Sequence, residues 1–193
     1  MALFEDSTLA EARTIIARYP AGRERSAVMP LLYLAQSIEG RVTRQGLQEV
    51  AALLELTTAE VEAVASFYTM LRLKPTNTHV VSVCTNLSCA LRGSAQVYES
   101  AHQAAAIPHG QELSDDGVIT LHEEECLGAC EKAPVVSIDF VYHDDVTPER
   151  MAELIRMLQA GEVPEPSRGE PMRDFRSASR LLAGLEPQQE VDA

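Results

Sequence analysis

The sequence has little positive charge and no long apolar run, and each shortage narrows the possible functions. Only 16 Lys and Arg stand against 29 Asp and Glu, which gives a formal net charge of −13. Most of the acidic excess falls in residues 76–160. Because nucleic-acid binding requires a basic surface, we expect no nucleic-acid partner. No stretch approaches the roughly 18 consecutive apolar residues of a membrane span, so we expect no direct membrane insertion.

Sequence motifs for nucleotide binding and hydrolysis are also missing. The chain has no Gly-rich phosphate loop, no Gly-x-Gly-x-x-Gly after a strand and no usable Ser/His/Asp arrangement. We therefore predict no catalytic residue and no nicotinamide or flavin site on this chain. The five histidines are isolated in the sequence, and we predict that all of them lie on the surface or in loops. The acidic N-terminus lacks a secretory or transit pattern, which predicts a cytoplasmic protein.

The four cysteines form two close pairs, Cys84 with Cys89 and Cys126 with Cys130. A [2Fe–2S] cluster needs four thiolates, two on each iron, and two loops that each supply a pair would meet this need. A structural Cys₄ zinc site also uses close pairs. Neither pair has the Cys-x-x-Cys spacing of a thioredoxin-type redox site. The spacing favours an iron–sulfur cluster and leaves zinc, redox thiols and incidental thiols open.

Each cysteine pair follows a predicted strand. Apolar and β-branched residues predict strands over 78–83 and 118–122, and a third strand over 135–142. With a helix after each of the first and third strands, the order β-α-β-β-α indicates a small open α/β domain. Gly128 lies inside the second cysteine loop, where positive φ would turn backbone N–H groups toward sulfur; an ordinary turn glycine is the alternative.

Residues 1–75 have the apolar periodicity of four short helices, which predicts a small bundle. The predicted helix caps of the chain are Ser26, Thr43, Thr57, Ser94 and Thr147. Phe67 and Tyr68 stand late in the fourth helix, and we predict that they belong partly to the core, with a partner interface as the alternative.

At the cysteines the sequence resembles a known family. The resemblance rests on two segments, Cys84-Thr-Asn-Leu-Ser-Cys89-Ala-Leu-Arg92-Gly93-Ser94 and Glu125-Cys126-Leu-Gly128-Ala-Cys130-x-x-Ala133-Pro134. They are similar to the thioredoxin-like [2Fe–2S] subunits of bacterial NADH:quinone oxidoreductase, respiratory complex I, the counterparts of the mitochondrial flavoprotein-2 subunit. The resemblance extends over about residues 15–160.

The resemblance implies a function for the whole chain. It implies one [2Fe–2S] cluster ligated by Cys84, Cys89, Cys126 and Cys130, which exchanges single electrons with the flavin of a partner subunit. FMN and NADH are expected on that partner, so the chain would be an enzyme only as part of its complex. Other peripheral-arm subunits are further expected partners, with the complex at the inner face of the plasma membrane. The alternatives are the equivalent subunit of an NAD-linked hydrogenase or formate dehydrogenase diaphorase module, and a Cys₄ zinc interaction protein.

The predicted fold class is therefore α/β (α+β), a small helical bundle followed by a thioredoxin-like [2Fe–2S] ferredoxin domain. The predicted regions are a helical docking bundle over 1–75, the thioredoxin-like domain over 76–160, and an extended, partly disordered tail over 161–193. The proline-spaced start of the tail predicts exposure. A short helical stripe from Phe175 to Leu182 could follow it, ending at Gly184.

Overall fold

The computed structural model describes residues 3–186, and these form two compact units. One unit consists of the described residues of Met1–Pro75 and Arg176–Ala193, and the other consists of Thr76–Phe175. The first is helical and the second combines helices with a four-stranded mixed sheet. The predicted mixed helix-and-sheet class is confirmed.

The helices, in chain order, are α1 Asp6–Ile16, α2 Val28–Glu39, α3 Arg44–Leu53, α4 Thr58–Phe67, α5 Leu87–Leu91, α6 Ser94–Ala104, α7 Pro148–Gln159 and α8 Phe175–Leu182. The strands are β1 His79–Cys84, β2 Ile119–Glu124, β3 Val136–Ile138 and β4 Val141–His143. Within residues 3–186, no helix is both long enough and apolar enough to cross a membrane.

The helical unit is built around α2. Leu31, Leu32 and Leu34 of this helix are fully buried, because apolar residues occupy nearly its whole circumference. The helix ends at Gly40, whose φ of 72° is the left-handed conformation that glycine adopts without strain. Apolar side chains of α1, α3 and α4 join the same core.

Three of the five predicted caps are confirmed. The Thr43 hydroxyl accepts from Gly46 N–H at 3.2 Å, and Thr57 forms a capping box with Glu60. The side chain of Thr147 caps α7 in the same way, by accepting from a backbone N–H of the first turn. Each of these threonines satisfies a donor that the helix itself leaves without a partner.

The other two predicted caps are wrong. Ser26 is not a cap, because a 3₁₀ turn over Glu24–Ala27 leads directly into α2. Ser94 is the first residue of α6 rather than its cap, because the preceding residue, a glycine, takes a left-handed conformation and occupies the N-cap position. In both cases the backbone before the helix, rather than the serine side chain, determines where the helix begins.

The described part of the predicted tail, residues 161–186, is divided between the two units. Residues 161–175 belong to the sheet unit, in which Pro164 and Pro166 are buried. In the helical unit, small residues of α8 pack closely, and Gln36 Nε2 donates to Ser179 Oγ at 3.1 Å. The proline spacing of residues 161–171 correctly indicated an extended and mostly exposed segment, in which Pro164 and Pro166 are the buried exceptions. Part of the predicted disorder falls on residues 187–193, which lie outside the described residues.

The sheet has the strand order β2-β1-β3-β4. Strands β1 and β2 are parallel, and the β1–β3 and β3–β4 pairs are antiparallel. The core lies where one face of the sheet meets α6 and α7, which contribute fully buried side chains such as Val97, Leu154 and Ile155. This arrangement places the last residues of β1 and β2 at one edge of the sheet.

The predicted single strand over 135–142 is wrong, because a turn divides it into β3 and β4. Asp139 and Phe140 form this turn with φ values of 49° and 70°. A buried anchor fixes it, since Asp139 Oδ1 accepts from Val80 N–H at 2.8 Å and Oδ2 lies 2.6 Å from His79 Nδ1. The alternation of apolar residues continues through the turn, and no glycine marks it, so the pattern alone did not reveal it.

The prediction that all five histidines lie on the surface or in loops is wrong for three of them. His79, His102 and His143 are buried. His79 contacts Asp139, and His102 Nδ1 lies 3.0 Å from the carbonyl oxygen of Ile107. Each partner is distant in the sequence or follows a turn, so no local pattern identified these contacts.

His143 makes the stability of the sheet unit sensitive to acid. Burial, with a smaller contribution from the positive charge of Arg150, lowers the pKa of His143 from 6.5 to about 4. The folded chain therefore binds fewer protons than the unfolded chain between these two values. We expect the contribution of this group to be fully present above pH 6.5 and to fall by about 3 kcal/mol as the pH drops toward 4.

Replacement of His143 tests this expectation. In the His143→Leu variant, the free energy of unfolding should no longer contain this fall between pH 6.5 and pH 4. The reason is that leucine takes up no proton. The measurement is urea unfolding across the pH range. His109→Leu is the control, since the His109 side chain is 79% exposed. An equal acid-dependent loss in His143→Leu and in the unmodified chain would contradict the expectation.

Candidate metal centre

The two cysteine loops leave the sheet side by side. Cys84 is the last residue of β1 and pairs in register with Glu124, the last residue of β2. Because β1 and β2 are parallel, the residues that follow them start from the same edge. Cys89 then lies in α5, and Cys126 lies two residues after the end of β2. The fourth cysteine, at position 130, starts a short 3₁₀ turn that ends at Lys132.

Residues of both cysteine loops form one small apolar cluster, which we call the thiol pocket. Its buried members are Cys84, Cys89, Ala129, Ala133 and Val135, with Leu127 and Tyr142 packed against them. The Cys84 and Cys89 thiols are buried, whereas Cys126 and Cys130 are exposed. Cys84 Sγ lies 3.8 Å from the carbonyl oxygen of Glu125, the residue before the second pair. The structure therefore brings both predicted pairs to one place, with one thiol pair inside and one at the surface.

Burial dominates the acidity of Cys89, one of the two inner thiols. It raises the pKa of the Cys89 thiol to about 11, against the effect of a hydrogen bond from Val135 N–H, which favours the thiolate. The neighbouring Cys84 and Cys130 sulfurs raise it further. Those influences show that Cys89 lies close to a cysteine of each pair. Cys89 is thus a protonated thiol near neutral pH, and a bound metal would have to replace its proton.

Backbone geometry directs a donor at the outer pair. Gly128 has a φ of 74°, which is the conformation predicted for it. Its N–H donates to Cys126 Sγ at 3.4 Å, a distance within the range of a weak hydrogen bond to sulfur. A side chain at this position would strain the left-handed backbone. The glycine therefore has a conformational role in the cysteine loop.

Two features of this site were not identified from the sequence. The five residues of α5 are too few for a helical period to be recognisable, although Asn86 caps the helix by accepting from Leu87 N–H at 2.6 Å. Tyr142 comes from β4, and its hydroxyl donates to the carbonyl oxygen of Leu127 at 2.7 Å. No spacing in the sequence connects Tyr142 to the cysteine loop.

The surface around the outer thiols carries mostly negative charge. Glu123, Glu125 and Glu131 are exposed next to the second cysteine pair. Lys132 Nζ lies 3.7 Å from Asp145 Oδ2, so this nearby cation is already paired with an acid. A negative surface disfavours the addition of an electron, although water and salt screen exposed carboxylates.

The donor set matches the chemistry of a [2Fe–2S] cluster. Such a cluster takes two thiolates on each iron, and hydrogen bonds to sulfur together with solvent exposure adjust its reduction potential. The site offers four thiols from two loops, N–H donors from Val135 and Gly128, and an apolar wall. Among residues 3–186, no three His, Cys, Asp or Glu side chains form a group that could hold a metal ion.

Comparison with known proteins identifies the family. The chain belongs to the thioredoxin-like [2Fe-2S] ferredoxin family, which it matches over residues 12–159. Two similar proteins both carry the name of the E subunit of NADH-quinone oxidoreductase. The one from Mycobacterium bovis is 44% identical over 182 residues, covering 94% of this chain and 71% of the relative. The one from Rickettsia bellii is 40% identical over 157 residues, covering 81% and 93%. The predicted resemblance is confirmed.

The fold is also similar to part of a solved structure, an NAD+-reducing [NiFe]-hydrogenase in the air-oxidized state. The TM-score is 0.60 and the sequence identity 24%, over 69% of this chain and 23% of the hydrogenase chain. This chain therefore spans less than a quarter of the hydrogenase chain that it matches. At this identity the similarity concerns the fold.

Proposed function

We propose that this chain is the electron-transfer subunit of an NADH:quinone oxidoreductase. In this proposal Cys84, Cys89, Cys126 and Cys130 ligate one [2Fe–2S] cluster. The observation that carries the proposal is the convergence of both cysteine loops on the thiol pocket at the ends of β1 and β2. The two relatives from Mycobacterium bovis and Rickettsia bellii, whose matches cover most of the chain, support it.

The residues of the site have separate tasks in this function. A bound [2Fe–2S] cluster supplies one-electron redox chemistry. Cys84 and Cys89 would hold the cluster as thiolates on its inner side, where their buried surroundings exclude water. The N–H groups of Val135 and Gly128 donate toward Cys89 and Cys126, and stabilise negative charge on these sulfurs. The exposed pair, Cys126 and Cys130, leaves the outer side open to a redox partner.

The partner in this proposal is a flavin-binding subunit that oxidises NADH. Its FMN exchanges single electrons with this chain, and other peripheral-arm subunits complete an assembly at the inner face of the plasma membrane. The catalytic oxidation of NADH belongs to the assembled complex. The fold similarity to the NAD+-reducing hydrogenase favours one alternative, the equivalent subunit of an NAD-linked hydrogenase.

Reconstitution with candidate partners tests the function. We expect the isolated chain, loaded with its cluster, to bind no flavin and to oxidise no NADH. Mixed with the flavin-binding subunit of an NADH:quinone oxidoreductase, it should form a stable complex in which NADH bleaches the visible absorption of this chain. Exclusive binding to the hydrogenase diaphorase subunit would establish the alternative. Binding to neither partner would contradict the proposal.

An exposed aromatic pair gives the docking role of residues 1–75 a specific surface. The prediction that Phe67 and Tyr68 belong partly to the core is wrong, because Phe67 is 77% exposed and Tyr68 46% exposed. The physical reason is that α4 ends at Phe67 and the chain turns to an extended conformation at Tyr68. Exposed Met70 and Leu73 follow in the same segment. A cluster of exposed apolar side chains is typical of an interaction site.

Polar substitution of this pair should weaken the complex. We expect the Phe67→Ser/Tyr68→Ser variant to bind the flavin subunit at least roughly tenfold more weakly, since buried aromatic residues contribute much of the binding energy of interfaces. Its thermal unfolding should stay close to that of the unmodified chain because both side chains are already exposed. The measurement is titration calorimetry.

Leu181→Ser provides the matched control for this surface. Leu181 is an apolar residue of α8 in the same unit and is 45% exposed. We expect its substitution to leave the affinity unchanged. An equal loss of affinity in the control and in the double variant, or an unchanged affinity in both, would contradict the assignment of the docking surface to Phe67 and Tyr68.

A further inference from the structure

A segment beyond the residues that the family match covers lies against the edge of the sheet. We call residues 164–168 the brace. Ser167 N–H donates to the carbonyl oxygen of Tyr142 at 2.8 Å, and its hydroxyl accepts from Asp144 N–H at 2.8 Å. Arg168 completes the contact through an antiparallel bridge to Tyr142. The brace thus pairs with the edge strand β4 and holds its backbone from Tyr142 to Asp144.

Tyr142 connects this edge strand to the cysteine loop. Its ring is half-buried and packs against the thiol pocket. Its hydroxyl donates to the carbonyl oxygen of Leu127 at 2.7 Å. Leu127 directly follows Cys126, so this hydrogen bond is made within the loop that carries Cys126 and Cys130. Since both of these cysteines are exposed, the position of their loop depends on contacts of this kind.

Arg168 restrains the Tyr142 ring from the solvent side. The Arg168 Cζ atom lies 4.9 Å from the ring centroid, which is a cation–π distance. Arg168 Nη2 donates to Asp144 Oδ1 at 2.6 Å, and Nη1 lies 4.0 Å from Glu131 Oε1. The guanidinium is therefore held in place by two acids while it covers the ring. Its position limits the rotation of the ring whose hydroxyl reaches the cysteine loop.

We propose that Tyr142 is a positioning residue for the loop of Cys126 and Cys130, and that the brace acts on this loop through Tyr142. The proposal rests on the proposed function, because its consequence is the retention of iron by the exposed thiolates. When the hydroxyl of Tyr142 holds Leu127, the loop stays closed and both sulfurs stay in place. When that hydrogen bond is missing, the loop opens more often and releases iron sooner.

The test uses the full chain loaded with its cluster. Tyr142→Phe removes the hydroxyl and keeps the ring. We expect anaerobic iron transfer to a ferrous-iron chelator to become roughly two- to tenfold faster, which is the change in the opening equilibrium that one net hydrogen bond produces. Amide hydrogen exchange in residues 126–130 should accelerate by a similar factor, and the g values of the reduced cluster should shift. The control is Tyr33→Phe, which removes a hydroxyl that contacts Met70 Sδ in the helical unit.

A second pair of variants tests the route through Tyr142. Arg168→Ala should also accelerate iron loss, but by a smaller factor than Tyr142→Phe does. Arg150→Ala should leave the rate of iron loss unchanged. The two arginines match in exposure, at 44% and 40%. Because Arg168 acts through the hydroxyl of Tyr142, the Tyr142→Phe/Arg168→Ala double variant should lose iron no faster than Tyr142→Phe alone.

Two results would overturn the proposal. One is iron loss, loop exchange and g values in Tyr142→Phe that equal those of the unmodified chain. The other is additive acceleration in the double variant, which would mean that Arg168 acts independently of Tyr142. If the unmodified chain holds no cluster, the proposed function fails, while hydrogen exchange of residues 126–130 still decides whether Tyr142 holds the loop.

Discussion

The Cys89→Ala variant will lose the cluster almost completely, whereas Ser88→Ala, one residue away, will keep it. Cys89 is a buried thiol of the thiol pocket, close to Cys84 and Cys130. Three thiolates leave one iron with an incomplete ligand set, and apart from the cysteines the described buried residues of the pocket are alanine and valine. We expect less than about a tenth of the iron and acid-labile sulfide of the unmodified chain, with no visible absorption.

The Ser88→Ala control separates loss of a ligand from local disturbance of α5. Both substitutions remove one heavy atom from neighbouring residues of the same short helix. Iron, labile sulfide and visible absorption should be unchanged in Ser88→Ala. A Cys89→Ala chain that purifies with full iron and sulfide would show that Cys89 is not a ligand. Equal loss in both variants would show that α5 itself, rather than the Cys89 thiol, holds the site together.

The Asp139→Ala variant will be strongly destabilised, because it breaks a buried polar pair. Asp139 and His79 are both buried, with 2.6 Å between Oδ2 and Nδ1. Burial raises the pKa of Asp139, against the opposing effects of His79 and of Val80 N–H. Removing one partner of such a pair leaves the other without compensation, which typically costs about 3–5 kcal/mol. We expect a loss of this size in the free energy of unfolding of the sheet unit.

Two further variants provide comparisons for the loss of unfolding free energy in Asp139→Ala. Asp139→Asn keeps an acceptor for Val80 N–H and tolerates the positive φ of the turn, so its loss should be smaller. Asp115→Ala removes an exposed carboxylate and should change the stability by less than about 0.5 kcal/mol. Because two units can unfold separately, the transition to follow in urea is the one in which visible absorption disappears. A loss in Asp139→Ala no larger than that in Asp115→Ala would contradict the account.

The cysteine loops were predictable from the sequence because local signals determine them. A β-branched run leads into Cys84, an alternating run leads toward Cys126, and Gly128 marks the tight loop between the second pair. The Thr57 capping box was predictable for the same reason, since its partner, Glu60, is three residues away. Such signals lie within one turn or one strand, where covalent geometry and side-chain type decide the conformation.

The contacts that support the loops were not predictable, because they join residues that are distant in sequence. The turn at Asp139 depends on a buried contact with His79, and neither residue indicates the other. The same is true of Tyr142, which reaches Leu127 only because β4 folds back beside β3. The exposure of Phe67 follows from the end of α4, although its helical spacing suggests a partly buried position.

The central claim is that the four cysteines hold one [2Fe–2S] cluster, and metal analysis of the anaerobically purified chain tests it most directly. Iron, zinc and acid-labile sulfide are quantified on the same sample, and the paramagnetic spectrum is recorded after reduction by one electron. The account predicts two irons and two labile sulfides per chain and a rhombic signal that integrates to one spin. Stoichiometric zinc without labile sulfide or a paramagnetic signal would contradict it.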